Sequence, residues 1–354
     1  MQLVNRRLST ALCLLVALLL AGCQTPPQTR QLLDKPPAVP RQHLIAGVPF
    51  YPQQDYFCGP TTLAEVAGFY GKPQDPAAIA PQTFIPELQG SLQIEMAAAT
   101  RQLGLLAYAQ RGSMQQLLSL VADNMPVIVL QNNSISWWPQ WHYAVVIGYN
   151  LADETLTLHT GVTPNYQLDF ATFERTWQRG AYWLLLMLPA DKTSPQLDPF
   201  LYTKAAQDLL STQQHQSGSA SEIAGVSALQ SATAQWPDYW LPYFLLGNHY
   251  NDNQPAMAMH WFGKGLGAAR QQIAYLNNYA LLLSAQGCPD VATALLDEAL
   301  RLAPQNANLL DSQQQIRQNA GTAKAGVNKS HSQANSQAVQ CPAITSVNNL
   351  TNHQ

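Results

Sequence analysis

Apolar positions follow three different patterns along the chain. From Ala11 to Leu20 they form a nearly unbroken run. From Val48 to Leu188 they alternate between helical and strand-like spacing. Leu63, Val66, Ala67 and Tyr70 recur at helical intervals, with Cys58-Gly59-Pro60 opening that helix and Gly71 closing it. Leu92–Leu103 and Met114–Ala122 also read as helices. Pro126–Leu130, Tyr143–Tyr149, Thr155–His159 and Tyr182–Leu188 read as strands, with Phe170–Trp177 a short surface helix between the last two. Helices first and an antiparallel sheet afterwards predict an α+β domain over residues 44–190. After Pro189 strand spacing stops. Pro195 and Pro199 mark a linker, and residues 200–317 read as all-α.

The first run is about ten residues long, where a bilayer needs about 20, so it does not predict a transmembrane helix. Arg6 and Arg7 precede it and Leu20-Ala21-Gly22-Cys23 ends it, which is the order of a secretory signal. The ending resembles the lipobox of bacterial lipoproteins. The resemblance implies that residues 1–23 are a signal segment and that Cys23 is lipidated, tying the protein to a membrane. Gln24 after the cysteine implies an outer-membrane lipoprotein facing the periplasm. Residues 24–43, rich in Pro and Gln, predict an extended tether.

Composition narrows the picture in two ways. Charged residues are 11% of the chain, where about 25% is usual, and the net charge is −3 without a basic stripe. Nothing can replace the counterions of a nucleic acid, so no nucleic-acid partner is expected. Of the five cysteines, Cys13 and Cys23 belong to the signal segment. Cys288 and Cys341 could pair, which leaves Cys58 as the odd thiol, a flag for reactivity in an exported protein.

Cys58 stands where the N–H groups and positive dipole end of a helix stabilise a thiolate. A cysteine nucleophile also needs a base and a donor for the oxyanion. His142 heads an apolar strand, and Gln53, five residues before the cysteine, carries an amide NH2. The run Gln53-x4-Cys58-Gly-Pro-Thr-Thr-Leu, with His142-Tyr-Ala-Val-Val-Ile-Gly-Tyr far downstream, resembles the bacteriocin-processing cysteine peptidases of family C thirty-nine. That resemblance implies a papain-like fold over roughly Gly47 to Pro189. It gives Cys58 the role of nucleophile, His142 that of base and Gln53 that of oxyanion donor. Gln54 is adjacent but further off the pattern. Relatives place an Asp on the strand after the histidine; here that slot falls on Thr160 or His159, and Thr160 aligns better. Asp55 reads as solvated. Trp137, Trp138 and Trp141 could wall a substrate cleft or belong to the core. No cofactor and no metal site is expected.

In the helical part, Gly247, Tyr250, Ala258, Phe262 and Gly265 recur as Ala280, Leu283, Ala292, Leu296 and Ala299 at offsets of 33 or 34 residues. This resembles tetratricopeptide repeats, whose implied role is to bind a protein partner. Residues 318–354, rich in Ser, Asn, Gln and Ala, predict a disordered tail. The expected activity is a membrane-anchored cysteine peptidase acting on a polypeptide substrate recruited by the repeats. The alternatives are an inactive papain-like peptide-binding module with the repeats as scaffold, and an acyl- or amide-transferring enzyme on the same scaffold.

Overall fold

The computed structural model describes residues 24–53, 57–88, 90–212, 218–326 and 341–342. The chain folds as two compact units with the main boundary between Leu188 and Pro189. The signal segment and Cys23, and also Gln54 and Asp55, lie outside the described residues. Among the described residues no helix is long and apolar enough to cross a membrane.

The first unit contains helices α1 (Pro27–Asp34), α2 (Cys58–Phe69), α3 (Pro76–Thr83), α4 (Gln93–Gln102), α5 (Met114–Ala122) and α6 (Phe170–Arg179). Its strands are β1 (Gln42–Leu44), β2 (Leu106–Arg111), β3 (Val127–Asn132), β4 (Trp141–Asn150), β5 (Thr155–Thr160), β6 (Thr163–Asp169) and β7 (Trp183–Leu188). They form one sheet in the order β2-β7-β3-β4-β5-β6, with β1 beside the far end of β4. The pairs β3–β4, β4–β5, β5–β6 and β3–β7 are antiparallel. Antiparallel sheet plus helices is the α+β class that the pattern predicts. Strand β4 is central and buried from Tyr143 to Tyr149, which is why its run is apolar without alternation. Helix α2 is buried along nearly its whole length, Gly59 to Ala67, so its first residue is held by the core rather than by the surface. The expected surface helix at Phe170 instead buries Phe170, Phe173 and Trp177, because these apolar residues share one helical face.

Two boundary expectations change. Residues 24–43 are not an extended tether throughout. Pro26-Pro27 starts a helix, since a missing N–H costs nothing in the first turn, and Leu32 packs fully buried. The first N–H groups of α1, from Gln28 and Thr29, donate to the buried carboxylate of Glu174 at 3.0 and 2.5 Å, the usual match of a helix N-terminus with an anion. The proline-rich composition signalled a loop; the acidic partner lies some 145 residues downstream.

The second unit is all-α: α7 (Pro199–Leu210), α8 (Ala220–Gln235), α9 (Leu241–Tyr250), α10 (Pro255–Gly265), α11 (Ile273–Ala285), α12 (Pro289–Leu302) and α13 (Ala307–Gly326). Helices pair as α7 with α8, α9 with α10, and α11 with α12. The residues at the 33- and 34-residue offsets occupy corresponding places: Gly247 and Ala280 on α9 and α11, Ala258 and Ala292 on α10 and α12. Smallness matters there, since a Cβ on Gly247 would come within 2.6 Å of the Phe262 ring. Helix α13 runs to Gly326, past the expected start of a disordered tail at residue 318. Cys341 is bonded to Cys288, so part of the tail is covalently held against the helices.

Candidate active site

Cys58 is the first residue of α2, and its N-terminal position follows from Gly59-Pro60, as the sequence predicts. A Cβ at position 59 would lie 2.4 Å from Oγ of Ser91, so glycine lets the segment before α4 close against the backbone next to Cys58. Tyr143 ties the two walls further, its hydroxyl donating to the Ser91 carbonyl at 3.2 Å.

Gln53 sits on the segment leading into α2. That segment is held at two points: Tyr51 N–H donates to Glu65 Oε1 at 3.1 Å, and Gln53 N–H donates to the Gly161 carbonyl at 2.9 Å. The Gln53 amide reaches the Tyr143 carbonyl at 3.5 Å, a long bond that a better acceptor can displace. Glu65 is fully buried, its Oε2 has no partner among the described residues, and burial pushes its carboxyl up to about 8.

His142 is the second residue of β4, across from Gln131 of β3. On the other side Val145 faces His159, so Thr160 falls opposite Ala144 and diagonal to His142 on the same face of the sheet. His142 Nε2 and Thr160 Oγ1 are 2.7 Å apart. His159 points to the other face. Its Nε2 lies 3.2 Å from the Val48 carbonyl and its Nδ1 accepts from Asn165 N–H at 3.3 Å. Burial lowers its pKa, against the Val48 carbonyl, which raises it, and the two bonds match the neutral tautomer with its proton on Nε2.

Gln53, Cys58 and His142 open on one cavity of about 990 Å³, which Trp141 and Leu130 also line. Burial pushes the Cys58 thiol up, although N–H groups of Tyr143, Gly59 and Cys58 itself pull it down. Burial lowers the His142 imidazole to about 4. Burial therefore opposes the thiolate that the helix terminus favours. A helix terminus contributes typically 0.3–1 kcal/mol, under one pKa unit, whereas desolvation of a buried group reaches several units. Burial thus favours the neutral form of both groups, which leaves the imidazole able to accept a proton.

The tryptophans are not core. Trp137, Trp138 and Trp141 are 81, 67 and 54% exposed. The turn that carries them is tight, with the buried Asn132 accepting from Ser134 N–H and Gln140 N–H at its base. Sequence reasoning missed Glu65 and Arg179. An acidic residue amid the apolar stretch of α2 was a readable signal for the first; a basic residue before Gly180 was only a weak one for the second. Among the described residues no group of three or more His, Cys, Asp or Glu side chains could hold a metal ion.

The profile of the Peptidase_C39 like family matches residues 45–182, less than half of the chain. No curated protein matches. Three solved structures are similar to the chain. One is a double glycine motif protease from an AMS/PCAT transporter in complex with the leader peptide, at 19% identity, 40% of this chain, 91% of that one and a TM-score of 0.34. A second is a putative C39-like peptidase from Bacillus anthracis, at 17%, 43%, 98% and 0.35. The third is the peptidase domain of Streptococcus ComA, a bi-functional ABC transporter involved in a quorum sensing pathway, at 23%, 40%, 99% and 0.33.

Proposed function

We propose that residues 45–182 are a cysteine peptidase. Cys58 loses its proton to His142 as it attacks the scissile carbonyl, and His142 returns that proton to the leaving amine. Water, deprotonated by His142, then releases the acyl group from sulfur. Thr160 holds the ring in one orientation without adding charge. Gln53, leaving its long bond to Tyr143, and the Cys58 N–H serve the oxyanion. The observation that carries this reading is the convergence of Gln53, Cys58 and His142 on one cavity, with Thr160 bonded to the histidine. The family match over the same residues supports it.

Burial that opposes charge on Cys58 and His142 favours a second reading, a module that binds peptides without cleaving them. Incubation of residues 24–354 with a peptide library, read by mass spectrometry, separates the two. New termini that disappear in Cys58→Ala and in His142→Ala mean a peptidase; library peptides retained intact by the wild-type protein mean a binding module.

The same proposal includes lipidation at Cys23, an outer-membrane location facing the periplasm, and tetratricopeptide-like recruitment of a protein substrate through α7–α13. The run Ala11–Leu20 followed by Leu-Ala-Gly-Cys supports the anchor, and the repeat offsets support recruitment. Cys23→Ser should leave an unprocessed precursor in cells; normal processing and a soluble product would remove the anchor from the proposal.

A further inference from the structure

Arg179 ends α6 and is the one permanently charged side chain among the described residues lining the cavity that holds Cys58 and His142. Its position is built, not incidental. Gly180 follows it, where a Cβ would lie 2.0 Å from the Leu130 carbonyl oxygen, so only glycine lets the end of α6 close against β3. Ala181 and Tyr182 come next with φ of 56° and 57°, a left-handed conformation costly for non-glycine residues. Strain of this kind persists where the surroundings enforce it.

The guanidinium is then oriented. Arg179 Nε donates to the Asn132 carbonyl at 3.0 Å. Asn132 is buried and also holds the turn that brings Pro139, Gln140 and Trp141 to the cavity. One residue thus fixes both the cation and the apolar wall beside it. With Nε occupied, the four N–H bonds of the two terminal nitrogens remain as a planar fork. None of the ion pairs among the described residues involves Arg179. A fixed fork, half-buried beside apolar side chains, matches a carboxylate with two parallel hydrogen bonds.

We propose that Arg179 recognises a carboxylate on the peptide entering this cavity, so that the site selects acidic over neutral peptides. The inference rests on the cavity being a peptide site. The carboxylate belongs either to an Asp or Glu side chain near the reacting bond or to a free C-terminus; the chemistry of recognition is the same.

The test uses matched peptides. One set places Glu or Gln at each of three positions on either side of the cleaved bond; another differs only in a free or amidated C-terminus. For wild-type protein, kcat/KM for the acidic member should exceed that for its neutral twin by tenfold or more. Preference in the first set identifies a side chain, and in the second a terminus. In Arg179→Gln the ratio should fall to near one, and in Arg179→Glu it should favour a Lys-containing peptide. Binding to Cys58→Ala, by fluorescence anisotropy, gives the same ratios without turnover. Selective binding without hydrolysis in the wild type leaves Arg179 in its role and removes the peptidase reading. Hydrolysis without acidic preference does the reverse. Equal loss of neutral and acidic peptides in Arg179→Gln overturns the proposal, since the residue would then serve the whole site. So would absence of both hydrolysis and selective binding. Should Arg179→Gln fail to fold, Arg179→Lys keeps the charge and loses the fork, and a ratio unchanged from wild type would also overturn it.

Discussion

His142 and Thr160 meet at 2.7 Å across β4 and β5, while the neighbouring His159 turns its ring to the opposite face. Strand alternation makes this choice: two residues adjacent on β5 cannot share a face. A hydroxyl orients an imidazole but adds no charge when the ring becomes positive. Thr160→Val should therefore slow Cys58 alkylation by roughly fivefold, in keeping with loss of one hydrogen bond of about 1 kcal/mol. Thr160→Ser should restore the rate, and Thr160→Asp should raise it above wild type. His159→Ala should lower stability, having lost two buried hydrogen bonds, yet change alkylation by less than about twofold. The pH profile of alkylation separates positioning from mere damage, since only the Asp variant should shift it toward lower pH. A slower reaction in His159→Ala than in Thr160→Val would reverse the assignment.

Glu65 supplies a pH dependence to stability. Its carboxyl rises from an ordinary value of 4.5 to about 8 in the fold. The folded state therefore holds this proton more tightly than the unfolded one. Its contribution is complete below pH 4.5 and is lost as pH rises through 8. Glu65→Gln keeps an acceptor for Tyr51 N–H and removes the ionisation. Thermal melting should show the variant gaining on wild type as pH goes from 5 to 8.5, by on the order of 1 kcal/mol or more. A constant difference across that range would show that Glu65 is ionised in the fold.

The disulfide closes a loop of 53 residues in sequence. Loop entropy for that length predicts about 4 kcal/mol at most for its effect on the second unit. Protein lacking residues 1–23 should show one titratable thiol under denaturing conditions without reductant, Cys58, and three after reduction. Cys341→Ala should lower the melting temperature of the helical unit while leaving alkylation of Cys58 unaltered. Three thiols in the unreduced protein would mean that the bond does not form.

Much of the site was legible because its signals are local. Cys58-Gly59-Pro60 announces a helix start, and an apolar run headed by His142 announces a buried strand. Their separation along the chain gives no distance, and the register between β4 and β5 was needed to choose Thr160. Strand β2, Leu106–Arg111, went unread because its alternation is short, and β6 because it is mostly exposed, with no apolar face to mark it. Helix α1 was hidden by its prolines, since what stabilises it is the distant Glu174. Arg179 gave only a weak signal for a similar reason: its partner, Asn132, is 47 residues away.

The protonation of the resting site is where sequence and structure disagree most sharply, and pH resolves it. The helix terminus argues for a thiolate at Cys58, and an imidazolium at His142 would support it. Burial argues the other way for both, raising the thiol and lowering the imidazole to about 4. An ion pair would need the thiol to titrate below the imidazole; here burial moves both groups away from that order. The reaction of Cys58 with iodoacetamide should then rise steadily from pH 6 to pH 9, without a plateau on the acid side. An ion pair would instead give a flat rate from about pH 5 to 8, because the thiolate would already be formed. His142→Ala should slow alkylation at pH 7 by more than Thr160→Val does, roughly tenfold or more, because the neutral ring that accepts the proton is gone. The two proteins should converge at pH 10, where hydroxide does that work. Turnover would follow the same course, since a neutral pair must separate charge during attack and each step depends on Thr160 and on the oxyanion donors to stabilise it. A plateau in wild type that vanished in His142→Ala would establish the ion pair and show that the helix terminus outweighs burial at this site.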